Sequence, residues 1–230
     1  MNNPGGHISD ELSQKVKSWE QYYLVKTPFW LKKIYSGYVW SIDTKEKTLY
    51  LTFDDGPHPD ITPFILRELR LFSATATFFC VGKNVVKYPD IYKQILDDGH
   101  SVGNHTYNHL NGWNTDNETY LKDVLEASKI IDSKLFRPCY GRITGFQAKN
   151  LKPVMRGKEP KIIMWDVLSG DFDTRCSPQQ CLSNAVFSSG PGSIIVFHDS
   201  EKAFQRLEYA LPRMLRYFSE KGFSFRAIEE

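Results

Sequence analysis

Short runs of β-branched and aromatic residues alternate along this chain with stretches of helical periodicity, and no other feature narrows its possible folds as much. The runs fall at 48–54 (TLYLTFD), 74–80 (ATATFFC), 101–104, 134–138, 161–167 (KIIMWDV), 193–197 (SIIVF) and 223–228 (FSFRAI). Between them, helix ends are signalled chemically. Thr62 before Pro63 opens one helix and Ser177 before Pro178 another, while Gly99 and Gly222 close two more by accepting left-handed geometry. No repeat, low-complexity run or Gly/Ser linker interrupts the series. The expectation is α/β: seven β/α units around a mainly parallel sheet, curled into a distorted, incomplete barrel over residues 46–230. Residues 1–45 are then an N-terminal extension packed on or flanking that barrel.

Composition supports an ordinary folded chain and excludes several functions. With 29 Lys+Arg against 27 Asp+Glu in 230 residues, the formal charge of +2 is too small for a polybasic nucleic-acid or anionic-membrane binder. The stretch 22–40 is broken by Lys26, Pro28, Lys32 and Lys33, so it cannot span a bilayer and reads as an amphipathic helix packed on the domain. Residues 1–20 show no basic segment followed by an apolar run and a small-residue cleavage site, so a cytoplasmic protein is expected, with an exported location as the alternative. The four cysteines form no CxxC pair and no zinc-finger spacing, consistent with a reduced compartment. Aromatic content stands out: 15 Phe, 12 Tyr and 5 Trp imply either a heavy core or a stacking surface.

In a parallel β/α barrel, chemistry collects at the carboxyl ends of the strands. Polar clusters sit there repeatedly in this chain. Asp54-Asp55-Gly56-Pro57 ends the first run, His105 and His109 follow the third, and Arg137-Pro138 follows the fourth. Trp165 to Asp171 covers the fifth, and His198-Asp199 ends the sixth. Taken alone, Asp54-Asp55-Gly56-Pro57 is also ordinary turn chemistry, yet Leu49, Leu51 and Phe53 drive the preceding run into a core and leave both acids at its rim. His105 and His109, four apart, face one way on a helical turn and can grip one metal. With one carboxylate from Asp54 or Asp55 they make a three-ligand site with an open position, as catalytic metals use. Asp171 is placed to hold the ring of His198 in one tautomer and favour its charged form, and Arg137 to keep a carboxylate outside the metal ionised.

The order and spacing of TFDDGP (52–57), HTYNH (105–109), RPCYG (137–141), a W…DF segment (165–172) and VFHD (196–199) resemble the five motifs of the polysaccharide deacetylases, the NodB-homology or carbohydrate esterase family 4 domain. The resemblance covers about residues 46–228. It implies a distorted seven-stranded β/α barrel that removes acetyl groups from sugar polymers such as chitin or peptidoglycan with a divalent metal, usually zinc, with cobalt, nickel or iron as alternatives. By that resemblance Asp54 is the catalytic base, and Asp55, His105 and His109 hold the metal. Arg137 buttresses the base, the backbone N–H of Tyr140 helps stabilise the oxyanion, Asp171 orients the acid, and His198 is that acid. Three departures stand out: Cys139 replaces a second proline, Phe172 a tryptophan, and Leu168 an aspartate. None removes a ligand or a proton-transfer residue. Cys139 is expected to be a small packed thiol.

The expected function is deacetylation of an N-acetylglucosamine-containing glycan or oligosaccharide. The alternatives are a hydrolase of another acetyl ester or small amide, and a carbohydrate-binding pseudoenzyme. Among the aromatics, Phe53, Phe78, Phe79 and Phe197 belong to the core. Trp113, Tyr140 and Phe172 are expected at strand ends, where an apolar sugar face can stack on them, so that replacing Trp113 by alanine weakens substrate binding more than the fold.

Overall fold

A computed structural model describes residues 23–229. Six central strands carry the architecture: β1 (Thr48–Asp54), β2 (Thr77–Cys80), β3 (Ser101–Asn104), β4 (Leu135–Phe136), β5 (Lys161–Ile162) and, beyond it, β7 (Ile194–His198). With β6 (Val167–Leu168) they form one parallel sheet in the order β5-β4-β3-β2-β1-β7-β6, and β8 (Ser224–Phe225) pairs with the start of β1. The sheet curls into the half-closed barrel that the alternation of runs predicts.

Seven runs become eight strands because the run at 161–167 is split. Its first half pairs with β4 and its second half, as β6, pairs with β7, so one continuous segment joins the two edges of the sheet. Several other strands are shorter than their sequence runs, notably β2, β4 and β8. Their flanking residues bond individually instead: the N–H groups of Ala227 and Ile228 reach the hydroxyls of Thr75 and Thr77.

At the split, the segment preceding β1 fills the gap in the ladder. The Val39 N–H donates to the Ile162 carbonyl at 2.9 Å, and the Val39 carbonyl accepts from Met164 at 2.7 Å. Further back, Lys26 bridges to Val167 and the Val25 carbonyl accepts from Leu168. Among the described residues of this segment only α1 (Phe29–Ile34) is helical, with Leu31 half-buried and Phe29, Trp30 and Ile34 exposed. Over the described residues 23–40 the longer amphipathic helix expected for 22–40 does not form; Pro28 cannot continue a helix and stands instead at the start of α1, as its N-cap.

Alternation along β1 separates two interiors. Leu49, Leu51 and Phe53 face the helices, where they pack with Ile65, Leu66 and Leu69 of α2 (Ile61–Leu71), then α3 (Gly82–Lys87) and α4 (Pro89–Asp97) through Val85 and Ile95. Rings of Phe53, Phe78 and Phe197 stack across three adjacent strands, with centroids 5.0 and 6.2 Å apart. On the inner face, Phe79, Leu135, Ile163, Ile194 and Ile228 plug the barrel. A third cluster joins α5 (Asn117–Ser128) to Trp40, Phe136 and Met164, with α6 (Gly145–Lys149) and α7 (Leu151–Val154) beside it. Two further helices, α8 (Pro178–Phe187) and α9 (Glu201–Glu220), complete the outer layer. Buried α9 residues recur at Leu207, Ala210, Leu211, Met214, Leu215 and Phe218, the spacing of one helical face.

The helix signals hold with one exception. Ser177 caps α8 through its hydroxyl to the Gln180 N–H, and Gly99 and Gly222 adopt φ of +78° and +76° after α4 and α9. Thr62, however, lies inside the first turn of α2, which begins at Ile61 after Asp60; its hydroxyl is directed to a buried carboxylate described below. All four cysteines are free. Among the described residues no helix is long and apolar enough to cross a membrane. Of the proposed N-terminal extension, residues 1–22 lie outside the described residues.

Candidate functional site

Strand register brings the polar residues together. Asp54 ends β1 opposite His198 at the end of β7, and Asn104, just before His105, sits opposite Phe136, just before Arg137. Parallel pairing in register therefore converts residues up to about 140 positions apart into neighbours at one end of the barrel.

Arg137 is fully buried and makes four hydrogen bonds. Its Nη1 donates to Asp54 Oδ1 and to Thr52 Oγ1, both at 2.7 Å, while Nε and Nη2 donate to the carbonyls of Ile163 and Met164 at 3.0 and 2.8 Å. The guanidinium also lies 4.1 Å from the centre of the Phe79 ring. Burial lowers the pKa of Arg137, and the Asp54 charge opposes that shift. One oxygen of Asp54 is thus held by a cation inside the barrel.

Asp55 points elsewhere. Its Oδ1 is 3.0 Å from His109 Nε2 and 3.8 Å from His105 Nε2. Donors on a tetrahedral zinc with bonds of about 2.1 Å stand roughly 3.4 Å apart, so this spacing suits a single ion. His105 Nδ1 lies 2.7 Å from the Arg137 carbonyl, which can only accept; the ring is therefore protonated there, and Nε2 is left free to ligate. Of the two carboxylates that the sequence leaves open, Asp55 is the one that converges with the imidazoles. Burial works against its charge, but the hydrogen bond from His109 and the fields of His198, His109 and His105 hold its pKa well below the ordinary carboxylate range.

The histidines do not share a helical turn. Residues 105–109 form a loop in which Thr106 and His109 take φ of 62° and 60°. Among the described residues six non-glycine residues have positive φ, and four of them, Asp55, Thr106, His109 and Tyr140, belong to this end of the barrel. For β-branched Thr106 such a backbone is costly, which marks the loop as held in place by its surroundings. The holder is Asp123 on α5: its carboxylate accepts the N–H groups of Tyr107 and Asn108 at 2.7 and 2.9 Å and the Asn108 side chain at 2.6 Å.

His198 Nδ1 lies 2.8 Å from Asp171 Oδ1, and its backbone N–H donates to Oδ2 at 2.7 Å. Burial disfavours the imidazolium, but Asp171, followed by Asp55 and Asp54, outweighs it and pushes the pKa from 6.5 up to about 10. Arg206, buried on α9, donates to the Asp171 carbonyl at 2.5 Å.

Sequence reasoning gave no role to Asp199, Asp123 or Asn84. Asp199 Oδ1 accepts the Gly56 N–H at 2.8 Å, and Oδ2 accepts the Thr62 hydroxyl at 2.6 Å. Its own N–H donates to the Asp54 carbonyl at 3.0 Å. Asn84 Nδ2 donates to the Asp55 carbonyl at 2.7 Å. These residues fasten the turn that carries both acids. A Cβ at position 56 would sit inside the Asp199 carboxylate, which explains the glycine.

Two of the remaining candidates, Tyr140 and Phe172, meet rings of this centre. Tyr140, with φ of 59° in a short 3-10 turn, is 62% exposed, and its ring meets that of His109 edge-on at 4.8 Å. Phe172 lies 5.3 Å from the His198 ring and 4.9 Å from Tyr23. Trp113 is 61% exposed and donates its indole N–H to the Ile143 carbonyl. Cys139 is fully buried, with Sγ 3.4 Å from both the His105 carbonyl and the Thr106 hydroxyl. Its sulfur and the two imidazoles have donor atoms within 4.8 Å of one another. The thiol is also engaged beneath the loop, where it meets the His105 carbonyl and the Thr106 hydroxyl.

A family model described as polysaccharide deacetylase matches residues 41–152. A peptidoglycan-N-acetylglucosamine deacetylase of Bacillus cereus is 32% identical over 201 residues, covering 85% of this chain and 93% of the relative. A chitooligosaccharide deacetylase of Azorhizobium caulinodans is 33% identical over 166 residues, 69% of this chain and 76% of the relative. The crystal structure of the Bc1960 peptidoglycan N-acetylglucosamine deacetylase superposes with a TM-score of 0.77 at 32% identity, covering 88% of this chain and 95% of that one. Identity at this level over most of both chains, on one barrel, makes this chain a member of the polysaccharide deacetylase family, carbohydrate esterase family 4.

Proposed function

We propose that the protein is a metal-dependent hydrolase that removes N-acetyl groups from an N-acetylglucosamine-containing glycan or oligosaccharide. One observation supports this above all others: Asp55, His105 and His109 converge at a barrel end flanked on one side by the Asp54–Arg137 pair and on the other by the His198–Asp171 pair. The names of the Bacillus cereus and Azorhizobium caulinodans relatives agree with it.

Asp55, His105 and His109 would hold a divalent ion, with zinc suited to two imidazoles and a carboxylate. Such an ion supplies Lewis acidity, polarising the acetyl carbonyl and lowering the pKa of a water towards about 7. Asp54, held through Oδ1 by Arg137, takes the proton from the attacking water. The water oxygen bonds to the acetyl carbon, and the developing oxyanion meets the backbone N–H of Tyr140. As the carbon–nitrogen bond breaks, His198, whose Nε2 is free because Nδ1 is committed to Asp171, donates its proton to the leaving amine. General-acid help of this kind is worth roughly 100- to 10,000-fold.

The test is acetate release from N-acetylglucosamine oligomers. Activity is expected to vanish with a chelator and return with zinc or cobalt. Full activity after exhaustive metal removal would sink the mechanism, whereas glycan binding without turnover in the metal-loaded protein would favour a pseudoenzyme.

A further inference from the structure

A groove of about 480 Å³ opens beside the catalytic end of the barrel, within the range of roughly 300–1,000 Å³ common for ligand clefts. Its walls come from two distant parts of the chain. Tyr35 and Tyr38 belong to the segment before β1, and Trp113, Tyr140 and Trp165 to the strand-end loops. Among the described residues no Asp, Glu, Lys, Arg or His lines it, and the nearby Arg142 lies over the Trp113 ring at 5.2 Å.

Three features together specify an occupant. Tyr35 and Tyr38 stack with centroids 5.6 Å apart and planes 20° from parallel, so each ring braces the other in the groove wall. The pair is fixed, because the Trp40 indole N–H donates to the Tyr35 carbonyl at 3.0 Å. Tyr140 belongs both to the groove and to the catalytic end, through its ring contact with His109. An uncharged groove walled by aromatic faces suits the apolar faces of sugar rings better than an anionic ligand, which would call for cationic side chains, and its continuity with the site places those sugars beside the reacting one.

The wall is also anchored before any ligand arrives. Asp166 accepts Lys26 Nζ and Lys32 Nζ at 2.5 Å each and the Ser193 hydroxyl at 2.6 Å, and the Thr27 N–H and hydroxyl donate to the carbonyls of Asp166 and Trp165 at 2.8 Å. Little ordering cost then remains for binding.

We propose that residues 23–40 form part of the substrate site: with the strand-end loops they build a subsite for uncharged sugar residues adjoining the one that is deacetylated. This rests on the deacetylase reading for its substrate, though not for its test. In the full-length, metal-loaded protein, kcat/KM is expected to be at least about tenfold higher for the N-acetylglucosamine tetramer than for the dimer. Tyr35→Ala should cut that preference roughly 5- to 20-fold, equivalent to losing one good stacking contact, while Tyr35→Phe keeps it. If Tyr35→Ala fails to fold, Tyr35→Leu, which keeps apolar bulk without a ring, carries the same expectation.

Intrinsic tryptophan fluorescence, titrated in parallel with the tetramer, separates the two readings. Saturable, salt-insensitive quenching that weakens in Tyr35→Ala upholds the groove even if no acetate is released. An equal response to dimer and tetramer, or an unchanged preference in Tyr35→Ala, overturns it. So does an absence of saturable quenching, the result expected if residues 1–22 occupied the groove instead.

Discussion

Asp171 meets His198 twice, once at the ring and once at the backbone, and so fixes both where the imidazole points and which nitrogen is free. With its pKa at about 10 in place of 6.5, His198 stays protonated across the neutral range, as the proposed role of proton donor requires. The linkage has a definite sign. A histidine whose folded pKa is raised contributes stability that is complete below 6.5 and is lost as pH climbs through about 10. In turnover, His198 deprotonation should set the alkaline limb of the kcat/KM profile. A divalent cation held beside Asp55, as proposed, would offset part of the negative field acting on His198, so that limb is expected between 6.5 and about 10. Asp171→Asn should shift it towards 6.5 and lower kcat. A pH–rate series on both proteins checks this, and coincident alkaline limbs would remove His198 from the role of acid.

The turn between β1 and α2 is held by a side chain from the opposite end of the sequence. Asp199 grips Gly56 and Thr62 at separations of 143 and 137 residues. Burial, with the charge of Asp55 nearby, raises the Asp199 pKa from 3.8 to about 7. In Asp199→Asn one oxygen acceptor becomes an N–H donor, which either faces the Gly56 N–H or disturbs the Thr62 hydroxyl. Metal affinity measured by chelator competition is expected to fall about 10- to 100-fold, the usual effect of disturbing a group that orients a ligand. Unchanged affinity would confine Asp199 to the fold. The ends of β1 and β7 were legible in the sequence because Leu49, Leu51 and Phe53, or Ile194 to Phe197, declare a buried strand and the polar residue after it has nowhere else to go. The grip of Asp199 was not legible, since nothing local distinguishes it from any other strand-end acid. His105 and His109 show a different limit. Their spacing of four is shared by a helical turn and by this loop, and only the left-handed backbone at Thr106 and His109 separates the two.

Across the whole molecule, barrel closure and chemistry meet in Arg137. Ile163 and Met164 lie where the segment from 161 to 168 passes from one sheet edge to the other, and their carbonyls are answered by the same guanidinium that holds Asp54. Seven runs of strand character revealed a barrel; the split of the fifth was hidden because KIIMWDV reads as one uninterrupted strand. Arg137→Met should abolish turnover and, by removing the buried partner of the Asp54 carboxylate and orphaning two carbonyls, destabilise the protein by about 3–5 kcal/mol in urea unfolding. A loss of turnover with stability intact would separate the two roles. The closing seam has a consequence in time. Lys26 and Thr27 dock on Asp166 and Trp165, and Lys26 lies 140 residues before Asp166. At roughly 5–20 residues per second on a ribosome, these early residues emerge about 7–28 s before their partners exist. The stretch of chain that walls the groove is thus among the first described residues to be synthesised and cannot take its place until most of the barrel has been made.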